Sequence, residues 1–111
     1  MCFLGLGRVP NTEGLGLAEL GVVQDGRGAI GVDGFMRTNI PHVYAAGDVV
    51  GFPSLASVSM EQGRVATAHM FGESRGALGG LFPNGVYTIP EVSSVGHDEV
   101  SAAEAGLDVV A

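Results

Sequence analysis

Apolar residues in the first part of the chain occur in short runs that glycine, proline and aspartate interrupt. Residues 2–6 are apolar and predict a short buried strand. Leu15–Leu20 predicts a single helical turn. Two runs rich in valine and isoleucine then flank Asp25 and Gly26, a pair that favours the turn of a β-hairpin. This part of the chain is therefore expected to fold into short elements joined by tight turns.

The middle of the chain predicts a strand followed by a long helix. Val43–Ala46 is an uninterrupted apolar run, which is typical of a parallel strand buried on both faces. Ser54–Phe71 predicts a helix, because Ser54 is a favourable N-cap and Gly72 is a favourable stop. A buried strand leading into a helix indicates the α/β class.

The C-terminal part predicts a second, smaller unit after a glycine-rich linker over residues 73–84. Its elements are two strands separated by Pro90, a short helix capped by Asp98, and a last strand. Their predicted bounds are Val86–Ile89, Val92–Val95, Asp98–Ala105 and Leu107–Val110. Since the last strand has no following sheet, we expect the chain to be truncated.

The amino-acid composition excludes some classes of binding partner and indicates a cellular compartment. The formal net charge is −7, with 5 Lys and Arg against 12 Asp and Glu. A nucleic-acid-binding protein normally carries a basic face, so we expect no nucleic-acid partner. The apolar stretch Val49–Met60 is too short to span a bilayer, so we expect no membrane association. A single cysteine, Cys2, cannot form a disulfide within the chain, which favours a cytoplasmic location.

Candidate chemistry lies where the predicted strand ends at Gly47 and Asp48. Open α/β sheets bind ligands at the carboxyl ends of their strands. Gly47 has no Cβ and lets a ligand approach the backbone, and Asp48 can accept hydrogen bonds from sugar-like hydroxyls. The helix that starts at Ser54 presents unpaired N–H groups and a partial positive charge. The same residues also fit an ordinary turn followed by an ordinary helix cap.

The other reactive side chains favour structural roles. The three histidines, His42, His69 and His97, have no metal-ligand spacing, so we expect no metal site and place His69 on the helix surface. Cys2 is interpreted as a small buried hydrophobe. Arg8 suits either a phosphate contact or a salt bridge within its loop. No catalytic residue is assigned.

Four segments, taken in order, resemble one family. They are Gly7–Asn11 (GRVPN), Thr38–Val49 (TNIPHVYAAGDV), Pro53–Arg64 (PSLASVSMEQGR) and Tyr87–Glu91 (YTIPE). Together they resemble the FAD-dependent pyridine nucleotide-disulfide oxidoreductases, in which FAD-binding, NAD-binding and dimerisation domains share one chain. The resemblance implies residues 1–81 as the C-terminal half of a Rossmann-like FAD-binding domain. It implies residues 82–111 as the start of an α+β dimerisation domain.

The resemblance also implies roles for matching residues. Asp48, after Gly47, would hydrogen-bond the ribityl chain of FAD. The first turn of the helix would lie along the flavin ring, with its N–H groups facing the pyrimidine edge. Gly7 would lie near the nicotinamide nucleotide, NAD or NADP. The residues assigned to the flavin ring are Ser54, Leu55, Ala56 and Ser57.

Within the family, the resemblance is to the soluble transhydrogenases, which pass hydride between NADPH and NAD through FAD. Gly51–Ser57 and Gly85–Gly96 carry this likeness. Dihydrolipoamide dehydrogenases, the alternative, usually have a histidine where this chain has Ser57. A homodimer is the assembly that the family implies.

Other features of a complete member are not found. A complete member needs two dinucleotide-binding G-x-G-x-x-G motifs, and we expect the chain to have neither, since Gly5-Leu6-Gly7 is followed by Arg8-Val9-Pro10 and opens no helix. A redox-active cysteine pair is also missing. We therefore expect the chain to be a fragment that holds one side of a flavin site and is inactive alone. The alternative is a non-catalytic remnant or an interaction module that pairs with a flavoprotein.

Overall fold

The long helix α1 spans Ala56–Met70 and supplies the main buried face of the chain. Val58, Gln62 and Val65 lie on this face at helical spacing, and each is buried. The helix ends where the sequence predicts. The Gly72 amide donates to the His69 carbonyl, and the following amide donates to Ala68, which satisfies carbonyls of the last turn.

The structure is a computed structural model that describes residues 1–5, 7–73 and 76–108. It divides into two units, Met1–Leu78 and Gly79–Ala111. The predicted domain assignment, residues 1–81 and 82–111, stays a prediction.

The apolar core of the first unit is small and comes from α1 and the turns before it. Its buried apolar side chains are Val22, Ala29, Ile30, Met36, Val58, Val65, Ala66 and Ala68. Two polar side chains, Thr38 and Gln62, are buried among them. Gln62 accepts a hydrogen bond from the backbone of the candidate site.

Two local predictions for the first unit are confirmed. A helical turn forms within Leu15–Leu20, where the Leu20 amide donates to the Gly16 carbonyl at 3.1 Å. The hairpin forms as an antiparallel bridge between Gln24 and Ile30. Both depend on residues a few positions apart, so local turn chemistry is sufficient to direct them.

The N-terminal strand prediction is wrong. Residues 2–5 form no strand, Leu6 lies outside the described residues, and Phe3 is 89% exposed. Cys2, interpreted from the sequence as buried, is also exposed. A strand needs a hydrogen-bonding partner, and none of the described residues pairs with this segment.

The prediction of a buried parallel strand at Val43–Ala46 is also wrong. This run is half-buried, and its pairing is one antiparallel bridge between Arg37 and Tyr44. Parallel pairing requires a crossover of a dozen or more residues, whereas a short turn joins these two positions. The apolar run therefore folds back on the segment just before it.

The second unit contains a two-stranded antiparallel sheet, in which the predicted strand at Val92–Val95 is confirmed and the strand predicted at Val86–Ile89 lies earlier in the chain. Strand β1 spans Asn84–Val86 and strand β2 spans Val92–Ser94. Val86 faces Val92 in the register. Residues predicted as the rest of the first strand instead form the connection, because the chain reverses around Pro90.

The short helix α2 forms as predicted over Glu99–Glu104. The Asp98 carboxylate accepts a hydrogen bond from the Ser101 amide, and the Ser101 hydroxyl accepts one from the Asp98 amide. This reciprocal pair is a capping box. The strand predicted at Leu107–Val110 is not formed at residues 107–108, and its remaining residues lie outside the described part of the chain.

The capping box gives α2 a pH dependence. Hydrogen bonds from the Ser101 amide and then the Ser101 hydroxyl hold the pKa of Asp98 below its ordinary value of 3.8. A lowered pKa in the folded state means that the carboxylate stabilises α2 above pH 3.8 and loses this effect as pH falls through the folded-state pKa. We expect the helical Cα chemical shifts of α2 to decrease on titration from about pH 7 to about pH 2.

The matched control for this titration is Asp98→Asn, because asparagine caps a helix about as well and does not ionise in this range. The variant should keep the α2 shifts nearly constant. Equal titration of α2 in both proteins would show that the Asp98 carboxylate does not support the helix.

Candidate functional site

The residue singled out from the sequence, Asp48, begins a short turn. Asp48–Val50 forms one turn of 3₁₀ helix. Gly47 precedes it at φ 88 and ψ −159, and Gly51 follows it at φ 89 and ψ −150. This backbone region is open essentially to glycine alone. We call the segment Gly47–Gly51 the Asp48 turn. Its two terminal glycines allow the chain to turn out and back within five residues.

Three hydrogen bonds hold the Asp48 turn against the rest of the first unit. The Gly47 amide donates to Oε1 of Gln62 in α1 at 2.7 Å. The Ile30 amide donates to the Val49 carbonyl at 2.9 Å. The Ser54 hydroxyl donates to the Gly51 carbonyl at 3.2 Å. The turn is thus tied to α1, to the hairpin and to the following loop.

The Asp48 carboxylate projects from this turn and meets Arg8. Nη1 of Arg8 lies 2.9 Å from Oδ2 of Asp48, with the two side chains 78% and 50% exposed. Arg8 thus forms a salt bridge, but with a residue 40 positions away and not within its own loop as predicted. Exposed ion pairs contribute only about 0–1 kcal/mol, so a ligand could displace Arg8 from Asp48 at small cost.

Asp48 lies on an open cleft of about 1230 Å³. Of the sequence-predicted site residues, Gly7, Asp48 and Ser54 line this cleft. The other four lie beside it: Gly47 at the base of the turn, and Leu55, Ala56 and Ser57 at the start of α1. The structure therefore gathers the candidate residues in one region of the first unit, with a carboxylate at its surface.

The start of α1 differs in detail from the prediction that Ser54 is its N-cap. The helix begins at Ala56, Leu55 is the N-cap residue, and no side chain of the described residues caps it. The Ser54 hydroxyl is already bonded to the Gly51 carbonyl, which turns it away from the helix. The first-turn amides of exposed Ala56 and Ser57 have no acceptor within the helix. They can therefore donate hydrogen bonds to a ligand.

A literal G-x-G-x-x-G spacing does occur at Gly26–Gly31, which corrects the expectation that the chain has none. It does not open a helix, because it lies in the hairpin turn. Its amides at Ala29 and Arg27 already donate to the Asp25 carboxylate, and these bonds lower the pKa of Asp25 below its ordinary value. A phosphate would find these donors occupied, so the segment is a structural turn.

His69 is more enclosed than the surface position predicted for it. Its Nδ1 and the Tyr44 hydroxyl are 2.7 Å apart, and the ring stacks on Phe35 at 4.7 Å. These contacts link α1 to the loops before it. In the described part of the chain, no three His, Cys, Asp or Glu side chains are grouped so that they could hold a metal ion. Within the same residues, no helix is both long and apolar enough to cross a membrane.

Gln62 is the site residue to which sequence reasoning assigned no role. The signal was present, since a glutamine occupies the apolar face of α1 between Val58 and Val65. A buried amide needs hydrogen-bonding partners, so its position pointed to a polar contact. The partner, the Gly47 amide, lies 15 residues away and could not be read from the sequence.

Comparison with known proteins places this site in a family context. The profile of the pyridine nucleotide-disulphide oxidoreductases matches residues 1–63. The chain is 48% identical over 99 residues to the soluble pyridine nucleotide transhydrogenase of Hahella chejuensis. The aligned residues cover 89% of this chain and 21% of that protein. It is 50% identical over 94 residues to the transhydrogenase of Yersinia enterocolitica, covering 84% of this chain and 20% of that protein.

Solved structures give the same picture for the fold. LpdA of Mycobacterium tuberculosis superposes with a TM-score of 0.81 at 37% identity, over 91% of this chain and 22% of that one. The HOCl-induced flavoprotein disulfide reductase RclA of Escherichia coli superposes with a TM-score of 0.81 at 30% identity, over 94% and 24% of the two chains. The chain is thus a small α/β structure that matches part of the flavoprotein disulfide reductase fold. It spans about a fifth of the curated relatives, at 20–22% of their length.

The backbone of Gly47 provides a direct test of the Asp48 turn. We expect Gly47→Ala to destabilise the chain by about 1–3 kcal/mol, because alanine cannot adopt this backbone region without strain. The measurement is the free energy of unfolding in denaturant.

Gly63→Ala in α1 is the matched control, since a Cβ at Gly63 would meet nothing within 4 Å. This variant should be more stable by up to about 1 kcal/mol, because alanine favours the helix. Equal stability of Gly47→Ala and the unmodified chain would contradict the conformation assigned to the Asp48 turn.

Proposed function

The chain belongs to the pyridine nucleotide-disulphide oxidoreductase family, and on that premise we propose that its first unit forms one wall of an FAD site. The observation that carries the proposal is the Asp48 carboxylate, which lies on an open cleft near the start of a turn fixed to α1. FAD would accept and return hydride. The protein's own residues would bind the cofactor and orient it.

Asp48 is proposed to accept hydrogen bonds from the ribityl hydroxyls. The residues present fit this role in two ways. Asp48 is half exposed and held by an exposed arginine, so its oxygens can exchange Arg8 for a ligand. Asp48 also lines the open cleft, so a ligand in the cleft can reach its oxygens.

The start of α1 is proposed to face the flavin ring, with Leu55, Ala56 and Ser57 along it and Ser54 at its edge. The uncapped amides of the first turn would donate to the pyrimidine edge, where reduced flavin carries negative charge. A helix N-terminus stabilises an anion by about 0.3–1 kcal/mol when exposed and up to about 2 kcal/mol when partly buried. The same feature would favour the reduced cofactor.

The nicotinamide nucleotide, NAD or NADP, is proposed to approach on the Gly7 side of the cleft. Gly7 and Arg8 both line it, so backbone and guanidinium groups are available there. We further propose residues 1–81 as the C-terminal half of an FAD-binding domain and residues 82–111 as the start of a dimerisation domain. A homodimer and a cytoplasmic location complete this proposal for the whole protein.

The activity that we propose is hydride transfer between NADPH and NAD. Its support is the identity of 48–50% to soluble pyridine nucleotide transhydrogenases. Since the chain covers only about a fifth of those proteins, this activity requires segments that the chain does not contain. Ser57 at the start of α1 is the residue that favours the transhydrogenases within the family.

A flavoprotein of the dihydrolipoamide dehydrogenase type is the second candidate. The similarity to a flavoprotein disulfide reductase supports it. Dihydrolipoamide dehydrogenases usually have histidine where this chain has Ser57, and the identity of 48–50% is to soluble transhydrogenases. For these reasons the transhydrogenase assignment is preferred.

The role of Asp48 can be tested in a chimaera in which this chain replaces the matching segment of the Hahella chejuensis transhydrogenase. We expect Asp48→Ala to weaken FAD binding by about 1–3 kcal/mol, roughly 5- to 150-fold, because the ribityl hydroxyls lose their acceptor. The measurement is the dissociation constant of FAD, with the FAD-to-protein ratio after dialysis as a second readout.

Glu61→Ala serves as the control, because it removes a half-exposed carboxylate of α1 that pairs with Arg64 at 3.1 Å and is not among the residues that line the cleft. It should leave FAD binding unchanged. If Asp48→Ala binds FAD as tightly as the unmodified chimaera, Asp48 is an ordinary turn residue.

The preference for transhydrogenase over dihydrolipoamide dehydrogenase can be tested at Ser57. In the Hahella chejuensis chimaera, we expect NADPH to reduce thio-NAD. In a second chimaera, this chain replaces the matching segment of a dihydrolipoamide dehydrogenase. We expect this replacement to lower the rate of dihydrolipoamide oxidation and Ser57→His to restore part of that rate. The reason is that those enzymes usually have histidine at this position.

Reduction of a dye by NADH in the second chimaera is the control, since it reports that flavin is bound and reducible. Dihydrolipoamide turnover at the parental rate with Ser57 in place, abolished by alkylation of the reduced enzyme, would favour the second candidate. It would leave the flavin role of Asp48 unaffected.

A further inference from the structure

Gln62 is a polar side chain in an otherwise apolar helix face. It is 4% exposed, while Val58 and Val65 on the same face of α1 are 1% and 4% exposed. Burying an amide among apolar groups costs free energy unless it is hydrogen-bonded. Its Oε1 accepts the Gly47 amide at 2.7 Å, which joins the buried face of α1 to the start of the Asp48 turn.

The backbone of Gly47 also lies directly on α1. A Cβ at Gly47 would lie 3.6 Å from Oγ and 3.8 Å from Cβ of Ser59. Ser59 is one helical turn before Gln62, so Gly47 contacts α1 at two neighbouring positions on one face. The restricted backbone of Gly47 then fixes the direction in which the next residue, Asp48, leaves the turn.

The ion pair between Arg8 and Asp48 and the hydrogen bond between Gln62 and Gly47 differ in how exposed they are to water. Arg8, the partner of the Asp48 carboxylate, is 78% exposed, so this ion pair is screened by water and can open. The bond between Gly47 and Gln62 is partly buried, and Gln62 itself lies on the packed face of α1. A ligand that replaces Arg8 would therefore leave Gln62 as the contact that holds the start of the turn, beside the bonds from Ile30 and Ser54 to its later residues.

We propose that Gln62 is a positioning residue for Asp48: its side-chain oxygen holds the Gly47 amide and so fixes the Asp48 carboxylate at the cleft before any ligand binds. This inference rests on the proposed function in one respect, namely that the group toward which Asp48 is oriented is a flavin. The hydrogen bond itself and its effect on the turn do not depend on that function. Gln62 is buried and is not among the residues that line the cleft, so it would act through Gly47 and Asp48.

The first measurement is amide hydrogen exchange in the chain as it is. Gln62→Met keeps an unbranched side chain of similar size and removes the acceptor, and Gln62→Glu keeps an acceptor. We expect Gln62→Met to accelerate exchange at Gly47 and also at Val50 and Gly51, whose amides donate within the turn. Gln62→Glu should restore protection at least in part, because a carboxyl oxygen can still accept the Gly47 amide.

Val65→Ala is the control for a general loss of packing. It removes methyl groups from the same buried face and leaves the bond between Gln62 and Gly47 in place. It should lower the overall stability without a selective change at the three turn amides. A selective effect of Gln62→Met thus separates positioning from packing.

The second measurement is the FAD dissociation constant in the chimaera, read as a double-mutant cycle. We expect Gln62→Met to weaken FAD binding by about tenfold when Asp48 is present and to have little effect in an Asp48→Ala background. Non-additivity is the signature of a residue that acts through Asp48.

The outcomes separate the two proposals. Protection of Val50 and Gly51 that survives Gln62→Met would overturn the inference, because the turn would keep its shape without Gln62. Equal weakening of FAD binding by Gln62→Met with and without Asp48 would also overturn it. An unchanged FAD constant in Asp48→Ala would overturn the flavin assignment, while hydrogen exchange still decides whether Gln62 holds the turn.

Discussion

The hydrogen bond between the Gly47 amide and the buried Gln62 side chain is the constraint on which the candidate site depends. It joins the longest helix to the turn that carries Asp48. The glycines at both ends of the turn give the backbone its shape, and Gln62 fixes that shape against α1. The exposed ion pair between Asp48 and Arg8 then closes the site only weakly. A turn that is fixed by the Gln62 hydrogen bond, with a carboxylate whose partner Arg8 can be displaced, is the arrangement expected of a carboxylate preorganised for binding.

Much of the remaining structure has little packing of its own. Phe3 and Phe52 are 89% and 94% exposed, and both strands of the second unit are exposed throughout. Large apolar side chains in contact with water add nothing to the hydrophobic stabilisation of the chain. The stable part of the first unit is therefore the region around α1, which is also the region that holds the Asp48 turn.

Sequence reasoning predicted the elements that short-range chemistry determines. Gly72 ended α1, Asp98 capped α2, and Asp25 with Gly26 formed the hairpin turn, because each signal acts within a few residues. It placed Asp48 before the loop that leads into α1, although the buried strand predicted to precede it does not form. The resemblance to the oxidoreductase family came from ordered motifs, and the family match confirms it.

The remaining errors concern contacts between distant residues. Residues 2–5 and Val43–Ala46 have strand-like composition, but a strand forms only where a partner is available. The partners of Asp48 and Gly47 lie 40 and 15 residues away, at Arg8 and Gln62. Composition and spacing carry no information on which distant side chain meets a given amide.

A crystal structure of the Hahella chejuensis chimaera with bound FAD would test the role of the Asp48 turn most directly. We expect an Asp48 carboxylate oxygen to lie within about 2.5–3.0 Å of a ribityl hydroxyl, with Arg8 released and the Gly47 amide still bonded to Gln62. An Asp48 that remains paired with Arg8 and does not contact the cofactor would contradict that role.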